Sequence, residues 1–320
     1  MPAFRRLCTR RLQHLHDEAL VIDRRQFALG TAATLLLPGC ARAKQPAAAI
    51  ATDVRLGAIE RNAGGRLGVY MLDTGTGHGL GFRQNERFAM CSTFKLSLAA
   101  LALREAAAGR VSLDEPLAYT RADLLGNSPE TEKHVAEGKM SIAALAEAAQ
   151  LYSDNCAANL LLRRFGGPAG LTRFWREIGD KTTRLDRFEP ELNRMTPGDP
   201  RDTTTPEAMA RGVARLLTGD VLSPADRAKL GDWMGRTATG LKRIRAGLPA
   251  GWRGGDKTGT ASYEGLTSKI NDIAVLYPPG GRAPLVVTAY YESASTSGTM
   301  RPGDEDVLKQ VGEEAVTWAS

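Results

Sequence analysis

From Phe94 to Ala108 the chain runs without a proline or a glycine, rich in alanine and leucine. Such a run predicts a helix, and it fixes the geometry of what stands at its head, Cys91-Ser92-Thr93-Phe94-Lys95. Positions three apart share a helix face, so the Lys95 ammonium is expected beside the Ser92 hydroxyl, with the serine opening the helix. A neutral lysine can take the serine's proton, and the exposed N–H groups of a helix start favour a nascent oxyanion. The same residues also describe a capped helix with a surface lysine, so the pair needs company.

Around this helix the chain changes character twice. A helix over 51–62 and a hairpin of strands 66–72 and 80–82 precede it. Residues 111–127 show no period and read as loop. Helices follow over 141–151, with Ser141 as cap, 155–165 and 169–178. An irregular stretch from Asp180 to Thr205 is too long for an ordinary connector, and loops of that length are usually functional or disordered. Thr205-Pro206 and Ser223-Pro224 start two further helices. Strands are then expected over 252–260, 271–277 and 285–291, and a closing helix over 302–319. Strands split by a block of helices imply an α/β (α+β) protein: a mainly antiparallel sheet flanked by helices, with an all-helical lobe. The expected division is 44–86 with 236–320 for the α/β lobe and 87–235 for the helical one, with the ligand site between them.

Residues 1–43 read as an export signal. Arg24-Arg25-Gln26-Phe27 leads into an apolar run ending at Leu37, followed by Ala41-Arg42-Ala43, and the arginine pair is of the twin-arginine kind. Cleavage after Ala43 is favoured, although Leu37-Pro38-Gly39-Cys40 also offers Cys40 for lipidation. The expected destination is the periplasm, reached through the export machinery. The formal charge of +6 is concentrated here, where seven arginines face three acids. About +2 remains for the rest, too dispersed to argue for nucleic acid or a membrane surface. Cys91 and Cys156 are expected as small buried thiols. No Cys/His cluster has metal-ligand spacing, so neither metal nor cofactor is expected.

Three further stretches bear on Ser92. Ser153-Asp154-Asn155 offers a hydroxyl for proton relay and, in Asn155, an amide for a substrate carbonyl. Lys257-Thr258-Gly259-Thr260, on an expected strand, offers an ammonium and hydroxyls for a carboxylate, and a glycine that lets backbone approach a ligand. In this order, S-x-x-K, S-D-N and K-T-G resemble the class A serine β-lactamases, from about residue 50 to the C-terminus. The resemblance includes Arg184 to Asn193 and Asp202-Thr203-Thr204-Thr205-Pro206. It implies that Ser92 attacks the lactam carbonyl and that Lys95, or Glu189 through water, takes its proton. Ser153, tuned by Lys257, would protonate the leaving nitrogen, and Glu189, with Asn193 sharing the water, would hydrolyse the ester. The oxyanion would lie between the N–H groups of Ser92 and Thr260. Lys257, Thr258, Thr260 and Arg243 would meet the substrate carboxylate, and Arg187 and Asp202 would pair across the neck of the Glu189 loop. The implied partners are β-lactams, and a monomer is expected.

Departures from the family pattern bear on breadth. Asn127 stands where many members place an aromatic, and 261–270 is about four residues longer than usual. Ala261 takes the place of the cysteine that bonds, in carbapenem-hydrolysing members, to the one preceding the nucleophile. Two rivals remain: a D-alanyl-D-alanine peptidase or transpeptidase, which lacks a base like Glu189, and a non-turnover β-lactam sensor, which would want a membrane-spanning segment.

Overall fold

The computed structural model describes residues 47–320, so Arg24, Arg25, Cys40 and Ala43 lie outside the described residues. In chain order the elements are α1 (Ala47–Ala63), β1 (Arg66–Asp73), β2 (Gly79–Phe82), β3 (Phe88–Ala89), α2 (Phe94–Ala107), β4 (Pro116–Ala118), α3 (Pro129–Lys133), β5 (Lys139–Ser141) and α4 (Ile142–Leu151). Then come α5 (Asn155–Arg164), α6 (Gly167–Glu177), β6 (Thr203–Thr204), α7 (Pro206–Thr218), α8 (Pro224–Gly235), β7 (Arg253–Ala261), β8 (Lys269–Tyr277), β9 (Leu285–Glu292) and α9 (Asp304–Ala319).

Five strands form one sheet in the order β2-β1-β9-β8-β7, every neighbouring pair antiparallel. Both of its faces are covered, which is why β1, β8 and β9 read as near-continuous apolar runs. Alternate residues still separate. Val69, Met71, Ala274 and Val287 pack with Leu56 of α1 and with Val307, Leu308 and Val311 of α9. Tyr70, Leu72, Ile273, Val275 and Val286, one residue out of phase, join the core built by α2, α4, α5, α6, α7 and α8.

Local signals place the helices. Ser141, Asp154, Thr205 and Ser223 each accept a hydrogen bond from a backbone N–H of the first turn, contacts worth about 1 kcal/mol apiece. In α2 every residue from Phe94 to Leu103 is buried, so this helix forms the centre of the helical core.

The head of α2 differs from the sequence expectation. Cys91–Thr93 form a 3-10 turn, and Thr93, which makes no side-chain capping bond, precedes the α-helix. Ser92 is held in a tighter turn one step earlier, after Cys91 at φ 47°. The segment read as loop between 111 and 127 contains β4, paired with β5.

Candidate active site

Ser92 is placed by two neighbours of its turn. Strand β3 leads into it and pairs with β6, which closes the long loop: Phe88 lies opposite Thr204 and Ala89 opposite Thr203. Strand β7 presses on it from the other side. A Cβ at Gly259 would stand 2.5 Å from the Met90 carbonyl and 3.2 Å from Cys91 Cβ. Gly259 therefore admits the chain's own backbone, where the sequence suggested close approach to a ligand. Asn271 of β8 secures the contact by donating to the Ala89 and Met90 carbonyls at 2.8 and 3.2 Å.

The Ser92 hydroxyl donates to Glu189 Oε1 at 3.2 Å, and Lys95 Nζ lies 3.1 Å from that same oxygen. Serine and lysine thus meet at a shared carboxylate oxygen rather than in a bond to each other. The Glu189 and Lys95 side chains are fully buried. Lys95 also donates to the Ser153 carbonyl at 2.8 Å and to Asn155 Oδ1 at 2.5 Å. Burial pulls its pKa below the usual lysine value, partly opposed by Glu189.

Ser153 sits at φ 59°, a left-handed conformation that a serine adopts only when its surroundings enforce it. Asp154 supplies part of that force: its carboxylate accepts from the N–H groups of Glu130, Thr131 and Ala157. Lys257 Nζ donates to Ser153 Oγ at 3.1 Å, and Lys95 reaches the same oxygen at 3.4 Å. With ammonium groups on its lone pairs, that hydroxyl keeps its own proton for a third partner. Burial, and then repulsion from Lys95, holds the Lys257 pKa well below the ordinary value.

Glu189 rides on the long loop but does not float. Asn159 of α5 grips its backbone, donating to the carbonyl at 2.9 Å and accepting from the N–H at 3.0 Å. Asn193 Nδ2 donates to Glu189 Oε2 at 2.5 Å, while Asn193 Oδ1 is buried with no partner among the described residues. An orphaned acceptor beside a buried carboxylate marks a place for a water. At the neck, Arg187 Nε donates to Asp202 Oδ2 at 2.6 Å, and Asp202 Oδ1 accepts the N–H groups of Asp186 and Arg187.

The remaining expected residues converge here. Thr258 and Lys257 are buried and Thr260 is exposed on β7, the edge strand of the sheet. Arg243 reaches Thr260 Oγ1 at 2.7 Å but is also engaged by Glu305, Gly259 and Asn271, with its side chain 5% exposed. It braces the end of β7 and keeps an N–H to spare. Asn127 donates to the Ser153 carbonyl at 2.8 Å, so it too supports Ser153. Cys91 and Cys156 are free buried thiols, and Ala261 packs against Cys91. The sequence reading missed Asn159. Its signal was one polar residue on the apolar face of α5, four positions after Asn155.

Residues 51–319 match the model of the β-lactamase enzyme family. The chain is 46% identical to β-lactamase CTX-M-8 of Citrobacter amalonaticus, over 89% of this chain and 94% of that one. It is 47% identical to the carbapenem-hydrolyzing β-lactamase KPC of Klebsiella oxytoca, over 72% and 78%. Among solved structures, a class A β-lactamase of the last common ancestor of Gram-negative bacteria is 52% identical. It superposes with a TM-score of 0.79 over 84% of this chain and all of that one. A β-lactamase from Burkholderia vietnamiensis is 48% identical, with a TM-score of 0.78 over 84% and 96%.

Proposed function

The chain belongs to the class A serine β-lactamases, and from that premise we propose how its residues open the lactam ring of penicillins and cephalosporins, the hydrolysis that confers antibiotic resistance. The observation that carries the proposal is the meeting of Ser92 Oγ and Lys95 Nζ on one oxygen of a buried glutamate whose other oxygen is held by Asn193.

The substrate carboxylate is met by Lys257, Thr258 and Thr260, with the spare N–H of Arg243 behind them. Ser92 Oγ bonds to the lactam carbonyl carbon and its proton passes into the Lys95–Glu189 pair, which it already faces. The oxyanion is taken by the N–H groups of Ser92 and of Thr260, on an edge strand that no neighbour fully pairs. The C–N bond breaks as Ser153 hands its proton to the ring nitrogen. Two ammonium groups on Ser153 favour the resulting alkoxide and resupply the proton. A water between Glu189 and Asn193 then loses its proton to the carboxylate and bonds to the ester carbon. The C–Oγ bond breaks, and the proton returns Ser92 to its hydroxyl.

The deacylating base separates this reading from the peptidase and the sensor. Purified protein is expected to turn over a chromogenic cephalosporin steadily. One stoichiometric burst followed by silence would refute the hydrolase. Support for a site between an α/β lobe of 44–86 with 236–320 and a helical lobe of 87–235 comes from the two apolar cores on opposite faces of the sheet. We further read residues 1–43 as a twin-arginine export signal and the mature protein as a periplasmic monomer. Mass spectrometry of the mature N-terminus distinguishes cleavage after Ala43 from lipidation at Cys40.

A further inference from the structure

A cavity of about 670 Å³ opens between the tip of the long loop, Met195 to Pro200, and the turn 265–267 that leads into β8. None of the residues assigned above to the reaction lines it. Its apolar wall comes from Ala89, Met195, Pro197 and Leu266.

Three cations also line it. Arg66 is taken by Glu86 and Glu292, each at 3.0 Å. Arg87 and Lys269 have no carboxylate within 4.0 Å among the described residues. Arg87 donates only to neutral oxygens, the Thr182 carbonyl at 3.1 Å and the Thr203 hydroxyl at 2.9 Å. Lys269 is 5% exposed, and among the described residues its ammonium finds only the carbonyl and hydroxyl of Thr267, at 2.7 and 2.9 Å. Its cross-strand neighbour is Glu292, but that carboxylate is committed to Arg66. A buried ammonium without a counter-charge is a costly arrangement, and the cavity it faces can relieve it. Asp199, the other acid in the lining, is bound by Arg201.

We propose that this cavity is a binding site for an organic anion, a carboxylate or sulfonate carried on an apolar body. The acid group lies between Arg87 and Lys269 and the body covers Met195, Pro197 and Leu266. The volume suits a ligand of drug size, and a bare inorganic ion would leave the apolar wall uncovered. The proposal stands apart from the chemistry at Ser92.

Titration of the whole protein with 8-anilinonaphthalene-1-sulfonate, followed by fluorescence, tests it. A saturable one-to-one rise is expected, weakening as salt is raised. Arg87→Ala removes one charge, and Leu266→Trp fills the cavity while leaving both charges. Each is expected to weaken binding about tenfold or more, the scale of one hydrogen bond to a charged group. Lys269→Met is expected to abolish binding if it folds, and the other two variants decide the matter if it does not. Absence of saturable binding, or wild-type affinity in either Arg87→Ala or Leu266→Trp, overturns the proposal.

Discussion

Lys257 and Lys95 are both fully buried and both reach Ser153; burial, and then the charge of Lys95, makes Lys257 harder to protonate. Below the lowered pKa of Lys257 both folded and unfolded chains hold the proton; between it and about 10.5 only the unfolded chain does. The unfolded state then binds more protons, so stability rises with pH across that window and is reduced below it. Urea unfolding of the wild type against Lys257→Met from pH 7 to 10 should show the wild type gaining relative to the variant as pH rises. A flat difference would contradict the lowered value. Gly259→Ala should destabilise by about 1–3 kcal/mol in the same assay, because the new methyl meets the Met90 carbonyl. Ser92, Lys95, Ser153 and Glu189 were legible because their spacing repeats a known pattern. Asn159 was not, because a lone polar residue on an apolar helix face does not say which backbone, 30 positions away, it grips. Asn159→Ala should cost about 1–3 kcal/mol of stability by unpairing the Glu189 backbone, and should lower kcat through slower ester hydrolysis.

At the scale of elements, the loop from Asp180 to Thr205 is closed at its neck by Asp202, beside the Thr183–Thr204 hydroxyl contact and the bond from Arg184 N–H to the Thr203 carbonyl. Its buried carboxylate holds the Arg187 guanidinium and two backbone N–H groups, and its own carbonyl accepts from Met90 N, beside the Ser92 turn. Asp202→Ala strands the guanidinium and the two loop N–H groups while leaving the Met90 bond to the main chain, and about 3–5 kcal/mol of stability should go with them. Pre-steady-state kinetics should show deacylation slowed more than acylation, since Glu189 sits on the loop and Ser92 outside it. The long helices and strands were legible from apolar periodicity, caps and prolines. Strands β3, β4, β5 and β6 were not, because two or three residues carry no period, and β3 and β6 exist only as partners of each other. The tight turn at Cys91–Thr93 escaped for a similar reason: pressure from β7 and β8, far away in sequence, shapes it.

Taken whole, the two ends of the described chain meet. Helices α1 and α9 lie on the same face of the sheet, and Arg55 is paired with Glu314 at 2.6 Å. The mixed composition of the sheet, hairpin first and three strands last, followed from the order of elements. The placement of β9 between β1 and β8 did not, since the sequence contains no sign of which late strand the hairpin joins. That placement makes β7 the edge, set against the Ser92 turn, and lets Lys257 reach Ser153. On the proposed reading, the acylation site is contributed by the Cys91–Thr93 turn, α2, β7 and the head of α5, and the hydrolytic base by one separate loop. The intact mass of Glu189→Ala after exposure to a penicillin tests that division most directly. The account predicts an adduct of the drug's mass that persists and maps to Ser92; unmodified protein with continuing rapid turnover would contradict it.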